Sequence, residues 1–428
     1  MRRLRSLSGA RLPLPAALRS RYSRLVVVLA FLGPGLIAAN AGNDAGGIAT
    51  YSEVGAKYGY SLLWALLLIT VSLVLVQRSA ARMGVATGKG LAELIRERYG
   101  IRWSAFATSA VLIANFGICI SDFVGVGAAL GLAGIPAQVS VPIAAVVIWL
   151  IIVRGSYRSA ERTFVLLTIP FLAYPLAAIL AHPDWGNVGH ALVVPQIQTS
   201  STYLLLFVAM AGTTITPYMQ LYLQSAVVER GVSRDQLSAE TTEAVGGAIF
   251  ADVIAGFIIV ATAATLFVSG NHNVNSAAEA AQALGPVAGQ YAEALFGIGL
   301  LGASLLAAAI LPIATSYVVS ESLGFEKGIG RRPGEAPVFM GLITTMIVVS
   351  TIVAVIPGVP VFALLIGVQV VNGVLLPINL FFIWHLARSD ELMGADRNRG
   401  VVDWLTAVTV LFTSSLSILL VCVTVLGL

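Results

Sequence analysis

Charge is scarce in this chain of 428 residues: Asp, Glu, Lys and Arg together make up 11%, against about 25% in an ordinary soluble domain. Histidine is scarcer still, with four residues, and there are two cysteines. Cys119 and Cys422 lie far apart, each inside an apolar run, with no metal-ligand spacing between them. A zinc ribbon, a disulfide framework and a thiol redox motif are therefore excluded, and both read as packed membrane thiols. What the chain has instead is hydrophobic residues, at 57%. Apolar runs of about 20 residues recur along its length, each long enough to cross roughly 30 Å of hydrocarbon. The chain is a polytopic membrane protein. Its first residues, MRRLRSLSGARLPLPAALRSRYSR, are basic. The apolar run that follows is interrupted and no small-residue cleavage site closes it, so residues 1–24 read as a cytoplasmic tail that touches anionic lipid rather than as a leader.

Eleven spans are expected, at 25–56, 60–82, 104–131, 137–153, 163–181, 203–228, 241–269, 288–320, 337–356, 361–387 and 402–427. The positive-inside rule tests this count. With the N-terminus in the cytoplasm, the inner segments collect the seven Arg of the tail, Arg78 through Arg102 after span two, Arg154, Arg158 and Arg162 after span four, Arg230 and Arg234 after span six, Lys327, Arg331 and Arg332 after span eight, and Arg388, Arg397 and Arg399 after span ten. Of the 25 basic residues only Lys57 falls outside. A wrong count would scramble that partition. The C-terminus is then outside, and the net charge of +4 is a topology signal that calls for no nucleic-acid partner. His182, His190 and His272 fall in or beside outer loops and His385 at an inner helix end, where solvated histidine is the ordinary reading.

Two spans are interrupted near their middles. Span one stops at Asn40-Ala41-Gly42-Asn43-Asp44-Ala45-Gly46-Gly47 and span six at Gly212-Thr213-Thr214-Ile215-Thr216-Pro217. Gly and Pro open the backbone ladder, and free backbone at membrane depth is tolerated only beside protein or a water-filled cavity. Spans one and six begin successive five-span halves, 25–182 and 203–387, with 402–427 as an additional span. Breaks at matched positions point to an inverted repeat with a binding site at the midplane. Asp44 is the sharpest residue: a carboxylate at that depth costs roughly 2.5–3.5 kcal/mol unless it faces a cavity or a partner. Beside unwound carbonyls it forms an oxygen donor set suited to a cation; a hydrogen bond that stabilises the break is the other reading.

At these residues the chain resembles the Nramp (natural resistance-associated macrophage protein) family of proton-coupled divalent-metal transporters. Where family members carry Asp-Pro-Gly-Asn, an Ala-Thr pair and Gly-Ala-x-x-Gly-Tyr, this chain has Asp44-Ala45-Gly46-Gly47-Ile48-Ala49-Thr50 and then Gly55-Ala56-Lys57-Tyr58-Gly59-Tyr60. The span-six motif Gly-Ala-Thr-x-Met-Pro-His-Asn is matched by Gly212-Thr213-Thr214-Ile215-Thr216-Pro217-Tyr218-Met219, followed after one extra residue, Gln220, by Leu221-Tyr222-Leu223-Gln224-Ser225. Ser121-Asp122-Phe123-Val124-Gly125 resembles the span-three Thr-Asp-x-Ala-Glu, and Gln369 with Pro377 the span-ten pattern. The resemblance implies an all-α membrane fold with a five-plus-five inverted repeat of the leucine-transporter type and broken helices one and six. It also implies a metal held by Asp44, the carbonyls of Ala41 and Thr213, the positions of Gly47 and Thr216, and Gln369.

The departures from the family pattern carry the specificity argument. The family's Asn is Gly47 and its Met is Thr216. Thioether sulfur favours transition metals, so a hydroxyl in its place leaves an all-oxygen site. The lost Asn makes it roomier, which suits a partly hydrated Mg²⁺. The change from Met to a smaller residue is similar to what marks the Nramp-related magnesium transporters. Met219 would restore a sulfur ligand if Gln220 shifts the register. The family's span-six His is Tyr218 and its span-three Glu is Gly125. No intramembrane His is then left to relay a proton, and weak or absent proton coupling is expected. Asp122, Tyr218, Met219, Asn372 and Asp252 are candidate pathway residues, Asp252 standing equally as a residue paired within the bundle. Asn115, Gln369 and Asn372 either complete an ion's hydration shell or bond neighbouring helices. Glu53 is expected to pair with Lys57 at i+4.

The expected function is a secondary transporter of Mg²⁺ and Mn²⁺ working by alternating access in a bacterial plasma membrane, with no cofactor and with lipid and the ion as its partners. A monomer is compatible with the sequence. The competing readings are an ordinary proton-coupled Mn²⁺/Fe²⁺ carrier, a broken-helix carrier of organic solutes or amines, an intramembrane aspartyl protease built on Asp44, Asp122 and Asp252, and a metal sensor. The protease leaves both breaks unexplained and shows no flanking protease motif, and no appended domain supports a sensor.

Overall fold

A computed structural model describes residues 43–153, 169–328 and 333–426. The tail 1–24, the first half of span one with Ala41, and the start of span five lie outside the described residues. Within them the chain is helical, with no strand. The helices that position the site are α1 (Ala45–Tyr58), α2 (Leu63–Thr87), α3 (Leu91–Tyr99), α4 (Ile101–Gly131), α5 (Ala137–Val153), α6 (Ala173–Leu180), α7 (Trp185–Val193), α8 (Ser201–Thr214), α9 (Pro217–Glu229), α10 (Leu237–Thr262), α11 (Ala292–Leu323), α12 (Pro337–Ala354), α13 (Val361–Ala387) and α14 (Val401–Leu426).

Among the described residues, eight helical stretches are long and apolar enough to cross a membrane, matching the expected spans two, three and six through eleven. Span four corresponds to α5, apolar but 17 residues long. Spans one and five begin outside the described residues, and α1 and α6 are their visible parts.

The packing partners exchange as a two-fold repeat of inverted halves requires. Helix α1 packs on α10, and α9 packs on α2; swapping span one for six and two for seven turns one contact into the other. The α2–α10 and α4–α11 contacts map onto themselves, and α4–α5 maps onto α11–α12. Glycine sets the approach at both exchanged contacts. A Cβ at Gly55 on α1 would run into Thr262 and the Ile259 carbonyl of α10, and one at Gly84 on α2 would press on the Gln224 carbonyl and Val227 of α9 at 3.1 Å.

Two apolar clusters fill the interior. One joins α1, α2, α8, α10 and α13, and the other lies among α4, α5, α9, α11 and α12. Ala45 belongs to the first cluster and Tyr218 to the second, so the start of α1 and the start of α9 stand where the two meet.

Both breaks differ in detail from the sequence expectation. Gly46 and Gly47 lie inside α1, which starts at Ala45, and Gly212 lies inside α8, which runs to Thr214. The backbone opens only across Ile215 and Thr216, before Pro217 starts α9 at a first-turn position where its missing N–H costs nothing. The glycines serve close approach instead. A Cβ at Gly46 would overlap the Gln369 amide, and one at Gly212 would overlap the Gln369 carbonyl and the Gly373 nitrogen of α13.

The Glu53–Lys57 pair forms at 3.6 Å, and Glu53 also accepts from the Val274 N–H at 2.7 Å, pinning the segment after α10 onto α1. His272 lies against the Ala56 carbonyl and His385 stacks on Phe381, both away from the breaks. Cys119 is buried as expected. Cys422 is not packed inside: it lies on the exposed face of α14.

Candidate metal site

Asp44 immediately precedes α1, in extended conformation, and its Oδ1 accepts the Gly47 N–H at 2.6 Å. It is thus the N-cap of the helix that restarts after the first break, satisfying a donor that would otherwise be orphaned. The same carboxylate accepts from Gln369 Nε2, at 3.1 Å to Oδ1 and 3.3 Å to Oδ2. It is fully buried, and among the described residues no Lys or Arg is ion-paired with it. Gly47 therefore supplies a backbone donor to the carboxylate, in place of the side-chain oxygen that an Asn there would offer.

Helix α13 joins the two breaks. One turn beyond Gln369, Asn372 Nδ2 donates to the Gly212 carbonyl at 2.5 Å. Spacing i, i+3 puts both side chains on one face, so one holds the start of α1 and the other the end of α8. Asn372 thus bonds a neighbouring helix through its Nδ2. Each amide keeps an oxygen without a hydrogen-bond partner, Gln369 Oε1 and Asn372 Oδ1, and so does Thr216 through its Oγ1. Asn115 also bonds a neighbouring helix, donating to Thr315 Oγ1 at 2.8 Å.

Thr216 is buried and occupies the N-cap position of α9, while Thr213 is the next-to-last residue of α8. Gln220, with its amide nitrogen turned to the backbone, donates to the carbonyls of Thr216 and Pro217. The extra residue thus braces the second break. Met219 packs into the apolar cluster of α4, α5, α9, α11 and α12. Tyr218, in the first turn of α9, is fully buried beside the second break.

Asp122 is buried on α4 with neither carboxylate oxygen hydrogen-bonded. Three residues on, Gly125 faces Ala45 and Ser304, and a Cβ there would overlap both side chains. A glutamate has no room at that position without moving α1 or α11. Asp252 lines a side pocket with Thr70 of α2, next in sequence to Ala251, whose carbonyl accepts from Asn43. The structure thus groups Asp44, Gln369, Asn372, Asp122 and Tyr218 around the breaks, with Asp252 behind them on α10.

Among the described residues no three His, Cys, Asp or Glu side chains cluster as a preformed metal cage. The donors near the breaks are oxygens, with one carboxylate at their centre. Residues 35–423 match the Nramp family, whose description reads natural resistance-associated macrophage protein-like.

The chain belongs to the Nramp family.

It is therefore a membrane transporter of divalent cations and not an enzyme. Among its relatives, the divalent metal cation transporter MntH of Deinococcus radiodurans is 29% identical over 401 residues, spanning 90% of this chain and 88% of that one. The MntH of Yersinia pestis is 28% identical over 387 residues, spanning 88% and 90%. Among solved structures, the Eremococcus coleocola manganese transporter superposes with a TM-score of 0.73 at 21% identity, covering 96% of this chain and 90% of that one. MhsT in complex with L-phenylalanine superposes with a TM-score of 0.61 at 17% identity, covering 91% and 97%. At these identities the likeness is one of fold, the broken-helix inverted repeat.

Two polar residues of this Nramp chain's site went unread in the sequence. Tyr51 lies two helical turns after Asp44, and its hydroxyl is 2.8 Å from Thr214 Oγ1, tying α1 to α8 directly. Asn43 donates to the Ala251 carbonyl at 3.1 Å and ties the first break to α10. The i+7 spacing from Asp44 was the available signal for Tyr51; Asn43 had none beyond its place beside Asp44.

Proposed function

We propose that this Nramp-family protein carries Mg²⁺, with Mn²⁺ as a second substrate, through a site centred on Asp44, with little or no proton coupling. The observation that carries the reading is the donor set. A buried carboxylate stands with Gln369, and the family's methionine position is a threonine hydroxyl without a hydrogen-bond partner. Met219 is committed to apolar packing. Oxygen-only donors suit hard cations. In this reading the Ala41 and Thr213 carbonyls and the space left at Gly47 complete the shell with retained water. Gly125 supports weak proton coupling, because the room a second acid would need is filled by Ala45 and Ser304.

The names of the relatives favour a second reading. The solved neighbour is a manganese transporter, so Mn²⁺ as the main cargo is the outcome to weigh against Mg²⁺. The cytoplasmic N-terminus, outward C-terminus, bacterial plasma membrane and repeat limits 25–182 and 203–387 belong to the same proposal. They rest on the distribution of basic residues and the exchanged packing.

The deciding experiment is uptake into proteoliposomes of Mg²⁺, Mn²⁺, Ca²⁺ and Cd²⁺. Uptake of Mg²⁺ and Mn²⁺ without Cd²⁺ preference, lost in Asp44→Ala, is expected. A strong Cd²⁺ preference refutes the oxygen-only site. Transport of no metal at all turns the search to organic cations.

A further inference from the structure

A pocket of about 310 Å³ lies between α2 and α10, behind the breaks, with α7 closing one side. Its walls are apolar, among them Leu63, Leu66, Val188, Phe257 and Val260. One lining residue is ionisable, Asp252. It is 6% exposed and its Oδ2 has no hydrogen-bond partner. Thr70 stands beside it, its hydroxyl donating to the Leu66 carbonyl at 2.8 Å and lying within hydrogen-bond reach of the Asp252 carboxyl, which leaves Oδ2 as the open oxygen. No Lys, Arg or His lines the pocket. At its margin Leu67, Ile249, Val253 and Trp185 are exposed on the outside of the bundle, the side that meets hydrocarbon.

We propose that this pocket binds small amphipathic amines, the ammonium on Asp252 and the apolar body between α2 and α10. A carboxylate among apolar walls is costly unless a cation partners it, and the lining supplies none. A divalent metal does not fit the vacancy in charge, because it needs about six oxygen ligands and the lining offers one carboxylate and one hydroxyl. An ammonium has three donors, which the three oxygens of the Asp252 carboxylate and the Thr70 hydroxyl can accept. The volume lies at the small end of ligand pockets, which favours a compact molecule over a phospholipid. The hydrocarbon-side margin favours a ligand that partitions into the membrane first. This inference does not depend on which metal the Asp44 site carries.

The test is saturation-transfer NMR on the purified full-length protein in detergent, with 4-phenylbutylamine as probe and 4-phenylbutan-1-ol as its neutral counterpart. Saturable binding of the amine is expected, with the alcohol at least tenfold weaker. Asp252→Asn should weaken the amine at least tenfold. Gly256→Leu offers a second route that leaves the carboxylate in place. A Cβ at Gly256 meets only Leu66, at 3.5 Å, so a larger side chain grows into the pocket without a backbone clash and should also abolish binding. Monodisperse elution and an unchanged melting temperature certify each variant. Equal binding of amine and alcohol overturns the proposal, as does amine binding that survives both variants. Loss of amine binding in Asp44→Asn but not in Asp252→Asn also overturns it, by placing the amine in the metal site.

Discussion

Asp44 has two separable jobs, and two substitutions pull them apart. As N-cap it accepts the Gly47 N–H at 2.6 Å, and as a carboxylate it holds Gln369 Nε2 and presents charge. Asparagine caps a helix about as well as aspartate. In Asp44→Asn the cap survives and a fully buried charge disappears, so stability should stay within about 1 kcal/mol of the parent or rise. In Asp44→Ala the cap is lost, at about 1 kcal/mol. Gln369 Nε2 is also left buried without its acceptor, at about 1–3 kcal/mol. The alanine variant should therefore be less stable than the asparagine variant by about 2–4 kcal/mol. Melting curves in detergent order the three proteins, and metal uptake in liposomes reads the second job. Both variants should lose Mg²⁺ and Mn²⁺ uptake although only one is destabilised. If Asp44→Asn folds and transports at the parental rate, Asp44 is a helix cap and the cation argument fails.

Other outcomes follow from the same geometry. Thr216→Met places a thioether at the second break and should shift competition toward Cd²⁺, read as the ratio of Cd²⁺ to Mg²⁺ that halves Mn²⁺ uptake. Gly212→Ala forces a Cβ into the Gln369 carbonyl and Gly373 nitrogen. Those are backbone atoms that no rotamer relieves, so it should cost about 1–3 kcal/mol in melting experiments, whereas Gly189→Ala, which meets open space, should be silent. Uncoupled divalent entry should also follow voltage. Each charge is worth about 2.3 kcal/mol per 100 mV, so a potassium–valinomycin potential of that size should raise equilibrium accumulation on the order of 10³-fold. Accumulation that ignores voltage and makes the lumen alkaline would mean electroneutral exchange of the metal for two protons.

The spans were legible because hydrophobic length is a local property. α13 was expected at 361–387 and is found there. The breaks were legible as regions but not to the residue. Glycine weakens a helix, and Gly46, Gly47 and Gly212 were read as openings on that ground; yet all three sit inside helices, and at Gly46 and Gly212 a neighbouring helix packs close. Gln369 and Gly373 crowd against Gly46 and Gly212 from α13, a helix that begins at Val361, far beyond the second break in the chain. No local pattern encodes that approach. Gln369 itself entered the reading through family resemblance, since one Gln in an apolar helix carries no direction. Asn372 stood open between two roles because the sequence says it is polar and buried, but not which carbonyl it meets. Gly125 was legible as a missing acid; that Ala45 and Ser304 have closed the space is visible only in three dimensions.

The α13 bridge also constrains how a cation reaches Asp44. Gln369 points its nitrogen at the carboxylate and leaves Oε1 without a hydrogen bond. A cation that binds Asp44 would repel that nitrogen and attract that oxygen, so the amide must turn over or withdraw as the ion arrives. Either movement loosens α1 from α13, while Asn372 keeps its hold on the Gly212 carbonyl of α8. Ion binding would then alter one of the two ties that α13 makes and spare the other, changing the relation of α1 to α8 rather than moving both together. One further contact resists that change, the Tyr51–Thr214 bond. Gln369→Glu should expose this coupling: a second carboxylate facing Asp44 has no amide donor to give, so α1 loses its tie to α13 before any ion binds. Hydrogen exchange at the α1 amides should then be faster in the ion-free variant than in the parent, and Mg²⁺ should slow it by bridging the two carboxylates. Exchange that is unchanged by the substitution and by Mg²⁺ would show that the Asp44–Gln369 contact does not hold α1 in place.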